Sequence, residues 1–170
     1  MKKCFGIISL AIIAVSFSSC KKLFEDEELS LQRTDYIGTE LRTDGYYYWR
    51  YQYEHDGFQY DRVEPRFLYR NGVFIFVNRL DFSKLEQQEE DFRKGTFYEN
   101  IKNEKVQWGI FQISGSSIVF EGWDYSGGPF LTSYKENGEI INDTTFRIKK
   151  AIFHFKQFSP KPDSTNRFIK

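Results

Sequence analysis

Cysteine is nearly absent. The chain of 170 residues has two, Cys4 and Cys20. Both sit near the N-terminus, so the body of the protein has no disulfide and no thiolate ligand and must rest on its core. Histidine is equally scarce: His55 and His154 lie 99 residues apart, which removes the His and Cys clusters that metal sites draw on. Neither sign of charge is in excess, with 24 Lys and Arg against 24 Asp and Glu. That leaves no clustered basic face of the kind nucleic acid requires. No apolar run reaches the ~20 residues that cross a ~30 Å hydrocarbon core. The Gly-rich stretch "YSGGP" (Tyr125 to Pro129) lacks the Lys and following helix of a phosphate loop. "SGSS" (Ser114 to Ser117) lies in a turn between strands rather than on the strand-to-helix elbow of hydrolases. Carboxyl pairs for glycoside cleavage are available among Asp56, Asp61, Glu64, Glu121 and Asp124, but spacing selects none of them. The expectation is a non-enzymatic protein without cofactor or metal.

Aromatic residues are abundant. Phe, Trp and Tyr make up 19% of the chain, with 18 Phe and 11 Tyr, and such side chains favour pleated strands. The length suits one domain.

The N-terminus reads as an address. Met1-Lys2-Lys3 is a cationic start, and "FGIISLAIIAVSF" (Phe5 to Phe17) is a 13-residue apolar run, the pattern of a signal peptide rather than a membrane span. The end of the run, "FSSC", resembles the lipobox of bacterial lipoproteins, in which the cysteine is diacylated and becomes the new N-terminus. This implies a signal peptide over residues 1–19 and a lipid on Cys20, the alternative being ordinary secretion with cleavage nearby. The processed chain holds 22 basic against 24 acidic residues. Lys21 after the cysteine points to the outer membrane. "FEDEE" (Phe24 to Glu28) resembles a surface-export signal, and reads equally as a solvated tether, so the periplasmic or surface side stays open. Residues 20–40 are expected to be lipidated cysteine and tether, holding the domain about 25 Å from its anchor if flexible.

From Leu41 onward the chain reads as strands and turns. Asn71-Gly72 in "FLYRNGVFIFV" predicts a type I′ hairpin, and Asn137-Gly138 in "YKENGEII" repeats the device. "WGIFQISGSSIVFEGW" turns at Ser114-Gly115. His55-Asp56-Gly57 marks a further turn, Pro65 a break, and Lys149-Lys150 a last turn or bulge, for eight to ten short strands. In "SKLEQQEEDFRKG", Ser83 and Glu86 are spaced as a capping box, and Gly95 is placed to end the helix in the left-handed conformation. Residues 96–106 read as the loop back to the sheet. The fold class is all-β: an antiparallel up-and-down meander or lipocalin-like barrel with one short inserted helix.

"FLYRNGV", "WGIFQISGSSIVFEGW" and "GEIINDTTFRI" are similar to stretches of small lipocalin-like, calycin-type lipoproteins of Gram-negative bacteria. The resemblance covers residues 41–158, leaving 159–170 as a tail, and implies a barrel with an apolar interior.

The densest aromatic stretch is "GYYYWRYQYEHDG", residues 45–57. As one strand it points Tyr47, Trp49, Tyr51 and Tyr53 to one face, and Tyr46, Tyr48, Arg50, Gln52 and Glu54 to the other. The wholly aromatic face should be buried and the mixed one wet. Buried tyrosine hydroxyls need partners, so the aromatic face is either core or the wall of a pocket. The expected function is binding of a small apolar or amphipathic ligand in the barrel, with Tyr47, Trp49, Tyr51 and Tyr53 as wall and Trp108 and Trp123 as further contacts. The alternative is an accessory protein of the outer membrane with a filled barrel, working through its outer surface on a protein partner.

Overall fold

Period-two aromatic runs separated by turn residues give nine strands among the described residues. The structure, a computed structural model, describes residues 25–170; residues 1–19, expected to be a signal peptide, and Cys20 lie outside them. The strands are β1 (Gly45–His55), β2 (Phe58–Leu68), β3 (Val73–Phe76), β4 (Leu80–Asp81), β5 (Trp108–Ser114), β6 (Ser117–Tyr125), β7 (Leu131–Asn142), β8 (Thr145–Ile148) and β9 (Ala151–Gln157). Every pairing is antiparallel and eight strands close on themselves, β1 pairing with both β2 and β9. The two-residue β4 extends the pairing of β2. The expected all-β up-and-down barrel is therefore observed, and its closure leaves no full-length free edge.

The turns sort by their chemistry. Asp56 (φ 51°) and Gly57 (φ 77°) form the type I′ turn between β1 and β2, because both central residues take positive φ. At Asn71-Gly72 only Gly72 does so; the Asn71 side chain instead accepts from the Val73 amide, an Asx-type turn rather than type I′. Gly115 (φ 58°) and Lys149 (φ 53°) turn where expected. Asn137-Gly138 does not turn. It lies inside β7, opposite Val119 and Ile118 of β6, and the chain reverses later, at Asp143-Thr144. Pro65 does not break β2; it sits where pairing with β3 ceases, the register beginning at Arg66, so its missing N–H interrupts no ladder.

The inside of the barrel is an aromatic core of Tyr47, Phe74, Phe111, Phe120, Phe146 and Phe153, all essentially buried. Rings meet edge-on or tilted at 5.2 Å (Phe74–Phe120) and 5.5 Å (Phe120–Phe146), and stacked at 4.8 Å (Phe146–Phe153). Gly109 belongs to this packing: a Cβ there would meet the Phe74 ring at 2.2 Å. Residues 36–41, just before β1, close one end. Tyr36 packs on Phe111, and its hydroxyl receives the Leu41 amide at 2.7 Å.

A second core lies outside the wall. The continuous apolar run around the β2–β3 turn is the pattern of a strand buried on both faces, and Phe67, Val73 and Ile75 do point outward into it. The insertion after β4 covers them. The expected helix is α1 (Leu85–Lys94), ended by Gly95 at φ 77°. Ser83 does not cap it; Asp81 caps a short 3-10 turn ahead of it. Residues 96–101, read as loop, form a second helix, α2 (Thr96–Ile101). Phe92, Phe97 and Ile101 bury against the wall together with Phe158, just past β9, and Ile169 of the C-terminal tail. Glu89 of α1 is buried as well, and its carboxylate receives the Tyr46 hydroxyl and the Lys156 ammonium.

The segment expected as a tether is docked from residue 26 onward. Asp26 accepts the Leu131 amide and pairs with Lys105, and Glu27 accepts the Ser133 amide and hydroxyl. The Ser30 and Leu31 amides donate to the buried carboxylate of Glu121. Residues 26–33 are thus a strap along the outer wall. The tail docks too: Lys161 donates to the carbonyls of Thr43 and Leu68, and Tyr69 to that of Pro162.

Candidate binding site at the barrel mouth

The seam between β1 and β9 opens partway up. β1 pairs with β9 only through Tyr48, opposite His154; from Trp49 to His55 it pairs with β2 alone. The β1–β2 hairpin therefore rises beyond the closed wall as a two-stranded flap. Paired residues of an antiparallel ladder point to the same side, so Trp49, Tyr51, Tyr53 and Tyr60 line the flap's inner face. They form a ladder: Trp49–Tyr51 stacked at 4.0 Å, Tyr51–Tyr53 at 6.0 Å, Tyr53–Tyr60 at 5.0 Å. Exposure rises along it, from Tyr47 at 1% to Tyr53 at 36%. The other face carries the Arg50–Asp61 ion pair and Gln59 hydrogen-bonded to Glu54. The aromatic stripe is thus core at Tyr47, pocket wall at Trp49 and open platform at Tyr53. Because the ladder rings cover one another's faces, a guest at Tyr51 and Tyr53 meets edges and hydroxyls.

Where the seam parts, a cavity of about 390 Å³ opens, walled by Trp49, Ile148 and Phe153 over a floor of Glu64, Arg66 and Glu136, with Lys149 and Lys150 at its edge. Arg66 is only 5% exposed. Its guanidinium lies among the rings of Phe153 (4.8 Å), Phe120 (5.2 Å) and Phe76 (5.5 Å), an arrangement that stabilises a buried cation. Its Nη1 approaches Glu136 Oε2 at 2.8 Å, yet Nε, Nη1 and that oxygen lack an aligned hydrogen bond to any protein group. The pair neutralises charge without satisfying its donors, which is costly in a low dielectric. Glu64 is better held, receiving the Tyr51 hydroxyl at 3.0 Å and Arg79 Nε at 3.2 Å. Burial, and then the Glu64 carboxylate, push the Tyr51 hydroxyl up to about 12. Burial likewise holds Tyr134, across from Gly122, at about 12. Both phenols are neutral donors at physiological pH.

The four stripe residues share the inner face, as expected, but only Trp49 lines the cavity; the Tyr47 hydroxyl is bound to the carbonyls of Arg42 and Asp143 at the closed end. Trp108 and Trp123 are on the outer wall and do not line the cavity. Trp108 Nε1 donates to Ile101 and Trp123 Nε1 to Glu27, so they fasten the helical insertion and the strap. Of the five carboxylates weighed from sequence, Glu64 alone lines the cavity; Asp61 faces outward to Arg50 and Glu121 lies under the strap. Arg66 and Glu136 were missed. The parity of β2, which puts Glu64 and Arg66 on the same face as Leu68, was the available signal.

The fold and the mouth together define a closed up-and-down barrel with an amphipathic opening at one end. Comparison of the chain with protein-family models, with curated proteins and with solved structures found no match. Among the described residues, no group of three or more His, Cys, Asp or Glu is placed to hold a metal ion, and no helix is long and apolar enough to cross a membrane.

Proposed function

We propose that the chain is a non-enzymatic binding lipoprotein, anchored to the outer membrane through a lipid on Cys20, whose barrel mouth takes a small amphipathic molecule. The observation that carries this is Arg66: a buried guanidinium with unaligned donors, at the floor of a 390 Å³ opening walled by Trp49 and Phe153. The apolar body of a guest leaves water between the rings, and an acceptor on it completes the hydrogen bonding of Arg66, with Lys149 and Lys150 favouring an anionic head. No cofactor takes part.

The test is titration with a fluorescent fatty acid, reading probe emission and Trp fluorescence. Saturable binding that is lost in Trp49→Ala and in Arg66→Met supports the reading. An absence of saturable binding in the folded wild type, or binding untouched by both substitutions, overturns it. The packed rings beneath the mouth support the second reading, an accessory protein acting through its outer surface, and that outcome would leave it standing.

A further inference from the structure

The up-and-down topology sorts every connection to one of two ends. The β1–β2 tip, the helical insertion, the β6–β7 loop and the β8–β9 turn are at the mouth end. The β2–β3, β5–β6 and β7–β8 turns are at the end closed by residues 36–41. The strap enters at the mouth end. Asp26 and Glu27 are hydrogen-bonded to Leu131, the first residue of β7, and the chain then runs past Glu121 and Gln112 to Arg70 at the closed end. Six positions separate Cys20 from Asp26, a reach of at most about 20 Å when fully extended. A lipid on Cys20 therefore cannot sit far from the mouth end.

The loops at that end carry large exposed apolar side chains. Phe58 beside the β1–β2 turn is 68% exposed and Tyr125 at the top of β6 is 64% exposed. Ile37 and Ile141 are exposed at the closed end, so exposure alone does not choose between the ends; the entry point of the strap does. Charge at the mouth end is mixed, Lys149 and Lys150 being accompanied by Asp56 and Asp124, so the contact relies on aromatic anchors at the interfacial level.

We infer that the mouth end is the membrane-facing end: Phe58 and Tyr125 rest in the bilayer interface, and the mouth opens toward the lipid. This inference rests on the lipid anchor at Cys20. The full chain, produced with its lipid, carries single cysteines in turn as Phe58→Cys, Tyr125→Cys, Ile37→Cys and Ile141→Cys. Because cleavage before Cys20 removes Cys4 and acylation consumes Cys20, each variant has one reactive thiol for an environment-sensitive fluorophore. Reconstituted into vesicles of phosphatidylethanolamine and phosphatidylglycerol bearing a lipid-borne nitroxide, labels at 58 and 125 should be quenched several-fold more than those at 37 and 141. Equal quenching at both ends, or quenching favouring 37 and 141, overturns the orientation. Intact mass separates the two failures: a protein without the added acyl mass removes the anchor and this inference with it, whereas an acylated protein with labels 58 and 125 in water removes the orientation alone.

Discussion

The inner faces of the lower and upper halves of β1 are both wholly aromatic, Tyr47 and Trp49 below and Tyr51 and Tyr53 above, and have opposite fates. Around Tyr47 the barrel is closed by β9, the ring is sealed by Phe146 at 5.0 Å and Phe155 at 5.3 Å, and the hydroxyl is held by two carbonyls. Around Tyr53, six residues on, the partner strand is gone and the ring stacks on its neighbours, partly in water. An aromatic stripe is thus no single kind of site. What decides its role is which second strand is present to cover it, and that is settled by the register of β9, a hundred residues away.

The contrast is broken most directly from below. Phe146 is fully buried and stacked on Phe153, so Phe146→Ala should cost ~3–5 kcal/mol in chemical denaturation, the range for a buried aromatic that leaves a cavity. A cost near that of a surface substitution would mean that the closed end is loosely packed and that the division into floor and mouth is wrong.

A smaller loss is expected at the strap. Glu121→Ala removes the shared acceptor of the Ser30 and Leu31 amides, which should cost about 2 kcal/mol and accelerate hydrogen exchange at those two amides while leaving Phe120 and Phe146 protected. Acid should act in the same direction. Asp26 is held below the usual carboxylate range first by the Leu131 amide, and Glu27 by Ser133. Both contributions are present above the ordinary carboxylate pKa and are lost as pH falls through the folded values. Protection at Ser30, taken relative to the intrinsic exchange rate at each pH, should therefore fall in acid before the barrel opens.

The closed end also has an alkaline signature. Burial pushes Lys161 down to about 8, where its two carbonyl partners, Thr43 and Leu68, still find donors on a neutral amine. Between that value and the ordinary Lys pKa the unfolded chain binds the extra proton, so stability rises with pH from 7 to 10, by roughly 2 kcal/mol. Above pH 10 the trend reverses, because burial raises Tyr46 and Tyr47 and the unfolded chain ionises its tyrosines first. Denaturation midpoints across pH should show the rise in the wild type and none in Lys161→Met.

Much of the barrel's strand-and-turn pattern was legible because its determinants are local. The alternation in residues 46–53, the Asp56-Gly57 turn and the Ser114-Gly115 turn each depend on a few adjacent side chains. Asn137-Gly138 misled for the converse reason: it is a turn dipeptide by propensity, but Gly138 pairs with both Ile118 and Ile148, and that ladder overrides it. The strap has no periodicity, and its acceptor at Glu121 is some 90 residues away. The floor of the mouth was missed on the same ground. Arg66 and Glu136 meet across the barrel, and nothing next to either in sequence announces the other.

The smallest expected effect on stability is at the top of the ladder, and it sharpens the contrast most. Tyr53 is 36% exposed and covered only by Tyr51 and Tyr60. Tyr53→Ala should therefore change the denaturation midpoint by no more than a surface substitution does, about 0.5 kcal/mol, against several for Phe146→Ala. If the ladder guides a guest toward Trp49, the same variant should weaken fatty-acid binding without altering the fold. Loss of stability comparable to Phe146→Ala would place Tyr53 in the core. Unchanged stability with unchanged binding would confine the site to Trp49, Arg66 and Phe153, with the flap above them as scaffold alone.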